Sequence, residues 1–409
     1  MKTHATGAAL SSSTPSTRPW HILPVIVLAQ FAGTSVWFSG NAVIAELDRV
    51  LGLGGPAHGA VTSAVQGGFI AGTLVFALFN IADRWRPRDV FLACAVLAAL
   101  ANGAMALLPQ LDSGRYPALL AARFAAGFFL AGIYPVGMKI AASWYREGLG
   151  AALGWLVGAL VVGTALPHLL RGSLPAGGWV PVVLAVSLLA VAGGVLLHRV
   201  VPEGPFLQPA PKFDPGALVR AFAAPDFRAS AFGYFGHMWE LYTLWAFAPL
   251  MLAAYAQRHG VGIDVPLWSF FIIGAGGLGC VAGGLVSRRA GSARVAFGQL
   301  GLSGLCCLAS PLAYALPPIG FLAFMVFWGV VVAGDSPQFS ALNAATAPRA
   351  FVGSALTIAN CIGFAISVVS LQAMSLAADR LPVAWWFVPV AIGPALGLLA
   401  CRRLAARGA

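Results

Sequence analysis

Four ionisable side chains stand out inside long apolar stretches of this sequence as the clearest: Arg123, His237, Glu240 and Asp335. A charge carried to the middle of a bilayer costs roughly 2.5–3.5 kcal/mol on insertion scales. Each is therefore a candidate for function or for a structural pair. Glu240 falls near the centre of its stretch, where a carboxyl can take up and release a proton as its access to water alternates. It is the first candidate for proton coupling; a paired carboxyl tying two helices together is the other reading. His237 lies one turn earlier and can hydrogen-bond to Glu240, relay protons, meet a substrate or simply pack. Asp335 precedes Pro337 by two residues. That proline frees the carbonyl of Ala333, which predicts a kink beside an acid, serving as a proton site or as a gate or cap. Pro135 repeats the feature earlier in the chain. At helical periodicity Arg123 shares a face with Gly127, Leu130 and Tyr134. It either turns a cation into a central cavity or makes a structural pair.

A polar stripe joins these four. Gln30, Thr34, Trp37 and Asn41 recur at i, i+4, i+7 and i+11, one face of a helix. Polar groups at membrane depth point into protein or into water, so the stripe is expected to line a cavity or to bond between helices.

The elements that must carry these residues follow from composition. Of 409 residues, 59% are hydrophobic and 9% charged, with a mean hydropathy of +0.84. A soluble domain carries about 25% charged residues, so a soluble enzyme, a nucleic-acid-binding module and a disordered protein are excluded despite the pI near 9.9. Residues 1–19 are polar and read as a disordered cytoplasmic tail without the apolar core of a signal peptide. Twelve apolar segments follow, at about 20–45, 58–82, 90–109, 117–141, 149–170, 179–197, 229–255, 266–287, 295–316, 319–345, 351–377 and 383–401. They are numbered here as spans 1 to 12, each near the 20 residues or so that a crossing needs.

Basic residues orient the spans. With both termini inside, most of the 24 lysines and arginines fall on the cytoplasmic side, and the net charge of +11 is mainly a topogenic signal. A Pro-rich break at 198–228 reads as a cytoplasmic linker between bundles 20–197 and 229–409, with a short helix possible at Ala217–Ala223. The bundles repeat one another. A shift of 202 residues superposes Trp37 on Trp239, Gly127 on Gly329, and Ala131-Gly132-x-x-Pro135 on Ala333-Gly334-x-x-Pro337. A shift of 205 superposes Gly72 on Gly277 and Arg84 on Arg289. Parallel six-helix repeats place a binding site at their interface near the midplane. The six cysteines show no metal-ligand spacing and read as small hydrophobes.

Twelve spans, the repeat and the central linker resemble the major facilitator superfamily over essentially the whole chain. The loop between spans 2 and 3 carries its most specific mark. Asp83, Arg84 and Arg88 match the family pattern, while Phe79, Arg86 and Pro87 depart from it. The resemblance implies that Asp83 latches near the start of span 11. The second-half loop reads Gly284, Arg288, Arg289 and Gly291, with arginine where the acid would stand. Arg123 and Gly127 resemble the family's intramembrane Arg-x-x-x-Gly. Span 5 keeps Gly154, Gly158 and Gly163 but only part of the antiporter pattern, so these glycines read as helix packing. Ile133-Tyr134-Pro135-Val136-Gly137-Met138-Lys139 is similar to bacterial nitrate/nitrite porters. Neither span 2 nor span 8, however, holds an arginine before its cytoplasmic end, which disfavours nitrate.

The expected fold is therefore all-α, with twelve transmembrane helices in two pseudo-symmetric bundles. The expected function is a secondary active transporter, proton-coupled, moving a small organic or zwitterionic solute by alternating access. Efflux of amphipathic compounds, inorganic-anion transport and a transporter-like sensor are the alternatives. An enzyme is not expected, nor a metal, cofactor or nucleic-acid partner. Partners are the solute, protons and the lipid bilayer, for a monomer in a bacterial inner membrane.

Overall fold

A computed structural model describes residues 19–52, 57–145, 149–174, 178–207 and 213–407; the expected N-terminal tail lies almost wholly outside them. The described residues form helices and connecting turns without strands. Ten helices are long and apolar enough to cross a membrane: Gly59–Leu78, Pro87–Gln110, Arg115–Trp144, Leu149–Ser173, Val180–Val200, Val265–Ala290, Ser292–Tyr314, Pro318–Thr346, Arg349–Ala378 and Val383–Arg407. These are spans 2–6 and 8–12. Leucines and isoleucines such as Leu188, Leu278, Leu312 and Ile319 stand exposed on their outer faces, where lipid is the solvent.

The remaining two crossings are the first span of each half. Span 7 is one 35-residue helix, Pro225–His259, whose tyrosines, tryptophans, His237 and Glu240 lower its apolarity. Span 1 is broken. It runs as Ile22–Thr34, turns through Ser35–Phe38, and resumes as Ser39–Ala42 and Ile44–Leu51. Adjacent hydroxyls mark the break: Thr34 Oγ1 donates to Gln30 O (2.8 Å) and Ser35 Oγ to Ala32 O (2.6 Å). Such back-bonding competes with the helical ladder and bends it.

The repeat is visible in backbone contacts. A Cβ added at Gly127 would strike Val65 O, and one at Gly329 would strike Ile272 O. Spans 2 and 4 therefore approach as closely as spans 8 and 10. Gly72 meets Phe128 O as Gly279 meets Val330 O. The counterpart of Gly72 is thus Gly279 and not Gly277, which instead meets Val162 and Gly158 of span 5. Spans 4 and 10 both break where expected, between Leu130 and Tyr134 and between Gly334 and Ser336. The carbonyl of Ala333, freed by Pro337, accepts from Cys280 Sγ at 3.2 Å.

The halves meet along two symmetry-related seams, span 2 against span 11 and span 5 against span 8. The connection between them contains a helix at Ala217–Ala223. It is fixed to the start of span 11: Asp214 N donates to Ser354 Oγ (2.9 Å), and the Arg220 guanidinium lies 5.1 Å above the Phe351 ring.

Candidate functional site

Between the halves lies a cavity of about 810 Å³. Span 4 contributes Tyr134, Pro135 and Met138, and span 5 contributes Gly150 to Val157 positions. Facing them are Tyr234 of span 7, Arg288 at the end of span 8, Pro337, Gln338, Ser340 and Asn343 of span 10, and Thr357 and Asn360 of span 11. The cavity opens on the face where Arg84, Arg86, Arg288 and Arg289 stand exposed. The two proline breaks turn Tyr134 and Gln338 inward from opposite sides.

Beyond the cavity a small void of about 50 Å³ ends against Tyr242, Trp245 and Phe364. Here the halves are sealed by rings. Trp37 stacks on Tyr242 (6.0 Å) and Phe364 (5.7 Å), Phe69 meets Phe364 at 4.6 Å, and Phe38 meets Trp245 edge-on at 6.0 Å. Farther out, Gln372 Nε2 of span 11 donates to Ser63 Oγ of span 2 (2.8 Å). A molecule in the cavity faces one side of the membrane and is blocked from the other.

Behind the wall of this void is a buried polar chain. Ser336, which lines the void, lies with Oγ 2.6 Å from His237 Nε2. His237 Nδ1 lies 2.8 Å from Asp335 Oδ1, both side chains fully buried. The second Asp335 oxygen has no hydrogen-bond partner among the described residues. The break at Gly334–Ser336 places Asp335 here, because it turns the side chain from the wall of span 10 toward span 7.

The sequence expectation for His237 and Glu240 is reversed. The sequence ranks Glu240 first for proton coupling and lets His237 bond to it. Glu240 lines neither space and turns toward span 9, where Cys307 Sγ lies 3.6 Å from Oε2. His237 is the residue linked to the void. The pair His237–Glu240 does not form; His237 pairs with Asp335.

The span 1 stripe does not line the open cavity either. Asn41 Nδ2 donates to Thr62 Oγ1 (2.6 Å), Gln30 is buried against Gly137, Thr34 bonds its own helix, and Trp37 belongs to the aromatic seal. The periodicity that predicts one face assumes a continuous helix, and the turn at Ser35–Phe38 removes that assumption. Arg123 is likewise no cavity cation. Fully buried, it donates to Trp37 O and Val36 O (3.1 Å) and to Asn102 Oδ1 (2.9 Å). It supplies Trp37 O with a donor and adds a second one to Val36 O, which Ser39 N also reaches at 3.4 Å, at the negative end of a helix dipole where a cation is favoured. Gly40 leaves room for it: a Cβ there would lie 3.1 Å from Arg123 Nε.

A profile described as the Major Facilitator Superfamily matches residues 23–371. The chain belongs to that superfamily. It is a membrane transporter and not an enzyme. No curated protein matches it. Among solved structures, the transporter resembles a bacterial homologue of the human lysosomal transporter Spinster in an inward-facing, unoccupied conformation. The TM-score is 0.68 at 14% identity, covering 95% of this chain and 97% of that one. It also resembles the proton:xylose symporter XylE bound to 6-bromo-6-deoxy-D-glucose, with a TM-score of 0.69 at 15% identity over 94% and 95% of the two chains.

The charged loop of the transporter makes two ion pairs. Asp83 pairs with Lys139, whose ammonium also donates to Ala82 O (2.8 Å). Arg88 lies 3.5 Å from Glu203, whose carboxyl is raised above its usual range mainly by burial. Arg84 is exposed. Of the span 5 glycines, Gly158 packs on Gly277, Gly163 on Phe31 and Thr34, and Gly154 lines the cavity. Sequence reasoning missed the ring seal of Phe69, Tyr242, Trp245 and Phe364, and the amides Asn343 and Asn360. Rings and amides are frequent in such segments, and only their convergence from different spans marks them.

Proposed function

We propose that this transporter carries a small organic solute through the inter-bundle cavity by alternating access, coupled to protons at the His237–Asp335 pair. One observation carries the reading: a solute-sized cavity between the two repeats is open on the basic face and closed by aromatic rings beyond it. Rocking the halves about the seams of spans 2 with 11 and 5 with 8 would open the ring seal and close the basic end. Ser336 joins the void to the buried histidine and acid, so protonation there is felt where solute binds. Fold similarity to a proton:xylose symporter is consistent with this coupling. In this reading the basic face is cytoplasmic, as the distribution of arginines supports, and the protein sits in a bacterial inner membrane with its termini inside and the cavity facing the cytoplasm. It acts as a monomer. Tyr134, Pro135, Pro337 and the amides line the solute path; Asp83, Arg84 and Arg88 belong to the cytoplasmic gating loop.

The test is flux. Purified protein in proteoliposomes is loaded with any solute that raises its melting temperature, and uptake is measured with and without a pH gradient. Flux that the gradient accelerates supports the reading. Stabilising solutes that never cross the bilayer would refute transport, and flux indifferent to the gradient would refute coupling.

A further inference from the structure

The cavity's polar groups are arranged unevenly. Three side-chain amides face it, Gln338, Asn343 and Asn360, and hydroxyls on one face of span 7 fix the last two. Ser230 Oγ donates to Asn343 Oδ1 (2.6 Å), and Tyr234 OH donates to Asn360 Oδ1 (3.0 Å). Ser230 and Tyr234 are one helical turn apart, so they act as a matched pair of clamps. Asn343 and Asn360 each spend the carbonyl oxygen on a clamp and keep both N–H bonds for whatever enters. Arg288 adds a cation at the mouth, and no aspartate or glutamate is among the described lining residues.

A lining with amide donors, a cation and no anion is complementary to negative charge, because an oxyanion accepts several N–H bonds at once and charge-assisted bonds are the stronger kind. An ammonium would meet donors on the amides and repulsion at Arg288. The serines refine this. Ser340 and Ser287 give their protons to Ser336 O and Gly284 O (both 3.0 Å), so their oxygens offer lone pairs to a ligand hydroxyl. An apolar part of the wall, including Met138, Leu153, Val157 and Leu356, would bury a hydrocarbon body, as ligand pockets do.

We infer that the cavity binds an amphipathic organic acid as its carboxylate, held by the amide groups of Asn343 and Asn360, with a hydroxyl on the acid tolerated. The inference rests on the transport reading and names the class of its solute. A carboxylate entering together with a proton adds no net charge to the membrane crossing, which suits coupling at a neighbouring histidine–acid pair.

The experiment uses the full-length protein in detergent and three matched ligand sets: mandelate with mandelamide and phenylethanolamine, benzoate with benzamide and benzylamine, and hexanoate with hexanamide and hexylamine. Affinity is read by thermal shift and calorimetry, with sodium nitrate as an inorganic control. At least one carboxylate is expected to bind ten-fold or more tightly than its amide and amine. Asn360→Asp and Asn343→Asp keep side-chain shape but exchange donors for a negative acceptor, and each should weaken the carboxylate at least ten-fold. Asn360→Ser, which leaves no new charge, is the folding control and should weaken it less. Preference for an amide or amine, equal competition by nitrate, no binding by any carboxylate, or unchanged carboxylate affinity in both Asp variants would overturn the inference. Proteoliposome flux separates the two readings. A neutral solute that is carried refutes the carboxylate and spares transport, whereas a bound carboxylate that is never carried spares the site and refutes transport.

Discussion

Replacing Arg123 by methionine, similar in length but without donors, tests whether a buried cation here holds the fold or handles solute. The guanidinium supplies bonds to Val36 O, Trp37 O and Asn102 Oδ1. Asn102 keeps its Nδ2 bonds to Val183 O (3.1 Å) and Ser187 Oγ (3.0 Å), so its loss is small. Val36 O keeps a long backbone bond from Ser39 N (3.4 Å), whereas the turn at Ser35–Phe38 leaves Trp37 O without a backbone donor. A buried acceptor left unsatisfied costs about 1–3 kcal/mol and an ordinary lost bond about 1, giving about 2 kcal/mol for Trp37 O and roughly 1 each for Val36 O and the amide. Removing a buried charge returns part of this, leaving a net loss of about 3 kcal/mol. An unfolding entropy of about 2.1 cal/mol/K per residue makes about 1 °C per kcal/mol for 409 residues, so Arg123→Met should melt roughly 3–4 °C lower in detergent. Ligand affinity of the fraction that remains folded should stay within twofold. Asn102→Ala should cost less, and the double variant should cost less than the sum because the two share one network. An Arg123→Met protein that melts like the parent but no longer binds or carries solute would refute the structural assignment.

Two further predictions address the gate and the proton site. A Cβ built on Gly59 would lie 3.4 Å from Ser375 Cβ across the seam of spans 2 and 11, close to the separation a disulfide spans. The Gly59→Cys/Ser375→Cys pair should cross-link on oxidation, stop flux and recover on reduction, read by gel shift and uptake. Full flux in the oxidised protein would mean that this seam does not open. Asp335→Asn and His237→Asn should each abolish acceleration by a pH gradient while solute exchange across equal pH persists. Glu240→Gln, facing Cys307 and away from the void, should keep the acceleration; its loss only in that variant would move the proton site to span 9.

The fold was legible in the sequence because lipid leaves few choices. Apolar runs of fixed length, a proline break repeated 202 residues apart and an arginine bias all report the solvent as much as the structure. The site was legible only in part. Asp335 and His237 stand out because charge in lipid is rare, but their pairing could not be read: it depends on the turn at Gly334–Ser336 swinging one side chain across to another span. The span 1 stripe misled for the opposite reason. Its spacing assumed an unbroken helix, and the one local signal against it, Thr34-Ser35 followed by Gly40, is modest in a sequence with 49 glycines. Asn360 and Asn343 carry no signal of their own; their meaning comes from Ser230 and Tyr234 on another span.

The repeat itself argues for the division of labour among the buried charges. Shifting by 202 residues lays the break at Ser35–Phe38 on His237–Glu240, and lays Arg123 on Met325 and Asp335 on Ile133. Span 7 is continuous through the equivalent of the break, so its carbonyls keep their helical donors. At Trp239, the counterpart of Trp37, the carbonyl takes a hydroxyl from Ser370 at 2.5 Å, and no cation is required. Arginine thus occurs in the half where the helix is broken, and methionine stands in the half where it is not. Were Arg123 a solute ligand, its placement would have no reason to follow the break. The same shift puts the histidine and both buried acids in the second half alone. Each half supplies three rings of the seal; the first adds the turn, while the second adds the His237–Asp335 pair and the clamped amides. Proton binding would then act on one half, and the solute, held mainly by that half, would move with it against a partner whose charge is fixed.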